Sequence, residues 1–305
     1  MKVINIGNSP LQAGEVALGC MRMADMSPKD AENVIRTSLE EGVTLFDHAD
    51  IYGKGASEEV FGKAIDLKGA DRDKMILQSK CGIRSGFYDF SKEHIVTSVD
   101  SILKRLGADH LDILVLHRPD ALMEPEEVAS AFSELKKSGK VNYFGVSNHH
   151  PGQIELLKQY VDVSLIVNQV QLSLMHTPII DAGLQVNMHQ DGAIHRDGML
   201  LEYCRKENIT IQAWSPFQHG MIEGPFIDND DFPELNKKLR ELAEEKGISK
   251  TTAAAAWLLR IPASIQPVVG SMTPERIRQA AAASKVDLTR EEWYGLYTAA
   301  GNDLP

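Results

Sequence analysis

One pattern restricts the fold more than any other. A short apolar run is followed by a stretch with helical spacing, and this happens eight times along one chain. The runs fall at residues 16–19, 43–46, 75–79, 111–116, 143–146, 165–167, 209–213 and 265–269. None alternates apolar with polar residues, as a half-exposed strand does; unbroken apolar strands belong to parallel sheets covered on both faces. Between them lie amphipathic segments. Ser27 and Pro28 open a helix carrying Ala31, Val34, Ile35 and Leu39 on one face, and Ile95, Val99, Ile102 and Leu106 mark another. Further helices are expected at 58–65, 125–137, 153–160, 198–206, 233–246, 250–259 and 274–283, with Thr289 and Glu292 forming a capping box for a last one.

Two short runs around Asn8, Ser9 and Pro10 read as a hairpin ahead of the first buried strand. Eight strand–helix units without a low-complexity linker predict an α/β chain. It is read as a single (β/α)8 TIM barrel over residues 1–305, with an N-terminal β-hairpin and extra helices. A doubly wound sheet is the weaker alternative, because no Gly-x-Gly-x-x-Gly follows the first strand.

Charge and cysteines narrow the setting. A net charge of −11 disfavours non-specific binding to nucleic acid or anionic membranes. Cys20, Cys81 and Cys204 are three widely spaced cysteines that match neither a disulfide framework nor a zinc pattern, which fits a reducing cytoplasm. No apolar run approaches the ~18 residues of a membrane span. A soluble cytoplasmic protein is expected, with a small-molecule partner, no nucleic acid or membrane partner, and oligomeric state open.

In a barrel, chemistry sits at the C-terminal strand ends. Asp47 ends the second strand, with Tyr52 in its loop; Lys80 ends the third and His117 the fourth. Singly, each has an ordinary explanation: a cap, a half-buried tyrosine, a snorkelling lysine, a core histidine. Jointly they do not, since a lysine among apolar strand ends needs a carboxylate, and Asp47 lies on the neighbouring strand. Lys80, held by Asp47, is expected to stabilise the Tyr52 phenolate and lower the tyrosine pKa. Tyr52 then serves as general acid toward a carbonyl oxygen while hydride reaches the carbon, with His117 as second hydrogen-bond donor. No metal is expected beside the lysine.

These residues resemble the Asp–Tyr–Lys–His tetrad of the aldo-keto reductases, and the likeness runs from the hairpin to Ala283. It implies NADP(H) as cofactor and an aldehyde or ketone as substrate. Ser147, Asn148 and Gln169 resemble the segments that hold the nicotinamide carboxamide, and Trp214-Ser215-Pro216-Phe217 the segment that stacks on the nicotinamide, where tyrosine is usual. Gly270, Ser271, Met272 and Thr273 lead into a helix whose Arg276 and Gln279 would meet the adenosine phosphate. Many relatives carry a lysine where Gly270 stands, which weakens the preference for NADP over NAD without removing it. A redox-sensing or regulatory subunit with slow turnover is the alternative function, and a barrel isomerase or lyase a third. The loops at 84–90, 177–197 and 218–231, and the tail around Trp293 and Tyr297, are expected to shape the substrate pocket.

Overall fold

The structure is a computed structural model that describes residues 1–304. The chain opens with an antiparallel hairpin, β1 (Val3–Asn5) and β2 (Gln12–Gly14). Strand β3 (Ala17–Gly19), helix α1 (Pro28–Glu40), β4 (Leu45–Asp47) and α2 (Ala56–Ala64) follow. Next come β5 (Ile76–Cys81), the small hairpin β6 (Ile83–Arg84) and β7 (Phe87–Tyr88), α3 (Lys92–Leu106), β8 (Leu111–Leu116) and α4 (Pro125–Lys137). The second half contains β9 (Val141–Ser147), α5 (Pro151–Lys158), β10 (Leu165–Gln171), α6 (Pro178–Leu184), α7 (Leu200–Glu207) and β11 (Thr210–Trp214). A two-residue pair, β12 (Gln218–His219) and β13 (Gly224–Pro225), precedes α8 (Pro233–Lys246), α9 (Lys250–Leu259), β14 (Ile265–Val269), α10 (Pro274–Ala282) and α11 (Arg290–Ala299).

Strands β3, β4, β5, β8, β9, β10, β11 and β14 close a parallel barrel in that order, each beside its successor. This is the (β/α)8 barrel expected from the repeat. Parallel closure puts every C-terminal strand end at one mouth, and the β1–β2 hairpin covers the other. Ile6 and Ala13 of that hairpin segment pack with Ala17, Leu45, Ile113, Val115, Val167 and Val268 inside the barrel. A second, larger core fills the space between the strands and the helical ring.

Local chemistry explains several boundaries. The Ser27 hydroxyl accepts from the Asp30 amide, and Pro28 fills the first turn of α1, where no N–H partner is needed. The Thr289–Glu292 capping box forms as expected at α11. Between α2 and β5, the fully buried Glu58 accepts from Ser79 Oγ and Arg105 Nε, both at 2.7 Å, tying α2 and α3 to the strand that carries Lys80. Trp257 and Trp293 stack at 4.9 Å and exchange indole N–H bonds to each other's carbonyl, which fastens α11 to α9. Such a pair contributes about 0.5–1.5 kcal/mol beyond the area it buries.

Three expectations need correction. Residues 177–197 are not one long polar loop: they hold α6, with Pro178 at its first position and Ile179 and Ile180 buried on the core. Trp293 and Tyr297 are core residues, 8% and 0% exposed, so the tail does not present them to a pocket. Asp47 ends β4 as expected, and Lys80 is the last residue but one of β5. Strand β10 runs on to Gln171, so Asn168 and Gln169 sit inside it. Their polar side chains are satisfied there, Asn168 by the His149 backbone and Gln169 by Gln212. Among the described residues no helix is long and apolar enough to cross a membrane.

Buried histidines make the fold acid-sensitive, His48 and His149 among them. His48 packs edge-on to Phe61 with neither ring nitrogen bonded, and burial first, then Lys80, pushes its pKa from 6.5 down to about 3. His149 stacks on Phe90, and burial brings it down to about 4 despite a bond to the Ser147 carbonyl. Between 6.5 and these values the unfolded chain binds protons that the folded chain excludes, so stability falls as pH drops through that window. Each histidine contributes a slope of about 1.4 kcal/mol per pH unit. Asp50 opposes one of them, since burial raises it from 3.8 to about 7 and its contribution is lost as pH rises between those values. Urea midpoints measured from pH 7 to pH 4 should therefore fall, and His48→Leu should remove one histidine's worth of the slope. An unchanged slope in that variant would mean His48 is not the group responsible.

Candidate active site

The site starts from a buried ion pair. Lys80, 0% exposed, points into the barrel mouth and donates to both Asp47 oxygens at 2.7 Å and to the His48 carbonyl at 2.8 Å. Its remaining contact is the Tyr52 hydroxyl, 3.1 Å away. Burial works against the ammonium, but Asp47 and Tyr52 more than offset it, so Lys80 titrates above its usual range and stays charged.

Tyr52 is delivered by an unusual turn. Gly53, Lys54 and Gly55 all have positive φ, at 57°, 55° and 94°. A Cβ on Gly53 would come within 2.5 Å of the Ala24 Cβ, so only glycine lets the turn fold against the loop after β3. The expected drop in the Tyr52 pKa does not occur. Burial raises it, the nearby Lys80 pulls the other way without prevailing, and Tyr52 stays above its ordinary 10.0. The hydroxyl is therefore protonated at neutral pH.

His117 completes the group, its ring 6.1 Å from the Tyr52 ring and nearly perpendicular to it at 84°. Burial first, then the charges of Lys80 and Arg118, hold the imidazole well below its usual range. It is neutral at physiological pH, and its Nδ1 is buried without a partner among the described residues. The three strand-end residues and Tyr52 from the loop after β4 thus converge on one spot.

Beneath them lies an amide layer that strand-end reasoning does not reach. Gln78 Nε2 donates to Asp47 Oδ1 at 2.7 Å and also meets Gln212 Oε1 at 2.7 Å. Gln212 in turn donates to Gln78 and Gln266, both at 3.0 Å, and Gln266 reaches the Gly14 carbonyl of the hairpin floor at 2.7 Å. The orientation of the Asp47 carboxylate is thus set by a chain of amides crossing the barrel. A glutamine inside each of three apolar runs is the signal that could have shown it.

The residues expected at the cofactor fall into three groups. Ser147, Asn148 and Trp214 meet at the mouth: Asn148 Nδ2 donates to Ser147 Oγ at 2.8 Å, and the Trp214 indole to Asn148 Oδ1 at 3.3 Å. Gln169 faces Gln212 in the amide layer, next to them. Ser215 has a positive φ of 53° and redirects the chain after β11, while Pro216 is buried and Phe217 and Met272 pack on the outer core.

Gly270, Ser271, Thr273, Arg276 and Gln279 gather at the start of α10. Thr273 is its N-cap by position, but its side chain makes no capping bond, and Ser271 Oγ accepts the Thr273 amide instead. Arg276 is exposed without an ion pair, and Gln279 leans on Glu275 at 3.4 Å. Sequence reading missed Arg22. Its guanidinium donates to the Gly270 carbonyl at 2.9 Å, and a Cβ at Gly270 would lie 3.1 Å from that nitrogen. The open helix terminus, Arg22 and Arg276 make this corner a fit for a phosphate-bearing group.

A parallel barrel with its titratable groups collected at the C-terminal mouth defines the class of (β/α)8 barrel enzymes. Within it, a model of the aldo/keto reductase family matches residues 15–297. The chain belongs to the aldo/keto reductase family. It is 37% identical over 310 residues to the uncharacterized oxidoreductase YcsN of Bacillus subtilis (strain 168), with 97% of each chain covered. It is 34% identical over 303 residues to the 6-dehydroglucose reductase of Agrobacterium fabrum, with 95% of each covered. A crystal structure of the thermostable aldo-keto reductase Tm1743 with the inhibitor epalrestat has the same fold, with a TM-score of 0.76. That match covers 98% of this chain and 100% of the other at 24% identity. The chain is accordingly an oxidoreductase of this family.

Proposed function

We propose that this oxidoreductase is an NADP(H)-dependent carbonyl reductase that converts aldehydes or ketones to alcohols, with Tyr52 as proton donor. The observation that carries the reading is the Lys80 ammonium, bound to both Asp47 oxygens and 3.1 Å from a protonated Tyr52 hydroxyl. Bound nicotinamide supplies the hydride. Tyr52 gives its proton to the carbonyl oxygen, and Lys80 stabilises the phenolate left behind. His117, held neutral, orients the same oxygen. Asp47 keeps Lys80 in place and Gln78 keeps Asp47 in place.

Ser147, Asn148 and Gln169 would hold the carboxamide, and the Trp214 indole would face the ring. Ser215, Gly270, Ser271, Thr273, Arg276 and Gln279 would line the path of the phosphates and adenosine. Arg22 supports the NADP preference. Where many relatives place a lysine, this chain brings a guanidinium from the β3 loop to the Gly270 carbonyl. The intact set of four argues against a purely regulatory subunit.

The test is consumption of NADPH and of NADH with a panel of short, aromatic and sugar-derived aldehydes. Turnover with NADPH, and weaker turnover with NADH, is expected. Loss of neither cofactor with any aldehyde overturns the reading, and a preference for NADH overturns the part assigned to Arg22 and Arg276.

A further inference from the structure

Arg118 follows His117 directly and sits at the C-terminal end of β8. Its guanidinium carbon lies over the Trp214 ring, 5.7 Å from the centroid. Trp214 ends β11, and β9 and β10 stand between β8 and β11 in the barrel. The arginine therefore reaches across the mouth rather than out over the wall beside it. Its platform is fixed, because Asn148 holds the Trp214 indole.

The guanidinium is half-buried and has no counter-charge. Among the described residues Arg118 holds no carboxylate within 4.0 Å; Arg22 and Arg276 also lack one, but Arg118 is half-buried and stacked on an aromatic ring. Its nearest acid along the chain, Asp120, is committed elsewhere, accepting from the Phe90 amide at 3.1 Å and the Leu122 amide at 2.8 Å. The chain has 43 acidic residues against 32 lysines and arginines, so a carboxylate partner was available in abundance. A stacked arginine keeps its five N–H donors free in one plane, the geometry that grips an oxyanion with two parallel bonds.

We infer that Arg118 selects substrates, and that the preferred substrate is a carbonyl compound bearing an oxyanionic group, a carboxylate or a phosphate, which Arg118 binds while the carbonyl lies at Tyr52 and His117. The inference rests on the carbonyl-reductase reading. The cofactor's phosphates have their own corner at Arg22 and α10, beside β3 and β14, three strands from β8 around the barrel. The charge of Arg118 is also felt at His117, which it helps hold neutral.

The experiment compares kcat/KM for matched pairs with NADPH: succinic semialdehyde against its amide, and glyceraldehyde 3-phosphate against glyceraldehyde. Wild type should favour the anionic member of at least one pair by about tenfold to a hundredfold, mostly through KM. The pair that shows the preference tells carboxylate from phosphate. Arg118→Gln should collapse the ratio, and Arg118→Lys should keep part of it. Trp214 fluorescence gives a readout free of turnover, since succinate should quench it saturably in wild type and not in Arg118→Gln, while succinamide should do neither. No ratio in wild type, an equal ratio in Arg118→Gln, or a variant that raises only the KM for NADPH overturns the inference. Quenching that depends on Arg118 without any aldehyde turnover would instead sink the carbonyl-reductase reading and leave the anion site standing.

Discussion

Tyr52→Phe should lower kcat by about 10²–10⁴-fold, the usual contribution of a positioned general acid, while NADPH binding is retained. The substitution removes one oxygen and nothing else. The ring keeps its packing, and the Lys80 ammonium keeps Asp47 and the His48 carbonyl as partners, so the fold loses one bond of 3.1 Å. No neighbour can take over the proton, because His117 is neutral and Lys80 is committed to Asp47. Single-turnover absorbance of NADPH separates chemistry from binding, and fluorescence titration checks the binding. Turnover within tenfold of wild type would remove Tyr52 from its assigned role.

The pH profile supplies an independent check. Burial keeps Tyr52 above its ordinary 10.0, so the proton needed for reduction is present throughout the neutral range. Carbonyl reduction should be flat in that range and decline only above pH 10, as Tyr52 deprotonates. A lysine beside a tyrosine suggests by itself that the phenol becomes more acidic. The structure reverses the sign because desolvation of the phenolate outweighs one shared cation.

That reversal marks where sequence reasoning stops. Asp47, Lys80 and His117 were legible because a charged residue at the end of an apolar run violates the pattern around it, and three in succession violate it together. Helices such as α4 and α8 were legible to the residue because proline opens them and lysine closes them. Strand β10 was cut short for the same reason that those three residues stood out. Asn168, Gln169 and Gln171 look like a strand end, and only the neighbours across the barrel, such as the His149 backbone and Gln212, make them interior residues. Arg22 and Arg118 did not stand out in the sequence because nothing local distinguishes them. What matters is that Arg22 meets a carbonyl 248 positions away and that Arg118 crosses two strands to Trp214. Long-range pairing of this kind carries no periodicity.

The ion pair under the site gives the largest stability effect. Lys80 and Asp47 are 0% and 2% exposed, and among the described residues each is the other's only opposite charge within hydrogen-bond reach. Lys80→Met leaves the Asp47 carboxylate buried with Gln78 as its remaining side-chain donor, and Asp47→Leu strands the ammonium. Breaking a buried pair from either side costs about 3–5 kcal/mol, a large share of the 5–15 kcal/mol that holds a typical fold together. Replacing both partners removes both buried charges, so Asp47→Leu combined with Lys80→Met should recover most of that loss. Urea midpoints of the wild type, the two single variants and the double variant close a thermodynamic cycle, with a coupling of several kcal/mol expected. Additive losses would mean that the pair is not coupled and that Lys80 is held by the His48 carbonyl and packing alone. Turnover should be lost in all three variants, including the one whose stability returns. That split separates the pair's two tasks in the proposed reaction: any residue set of the right volume can fill the space, and only the charged one would stabilise a Tyr52 phenolate.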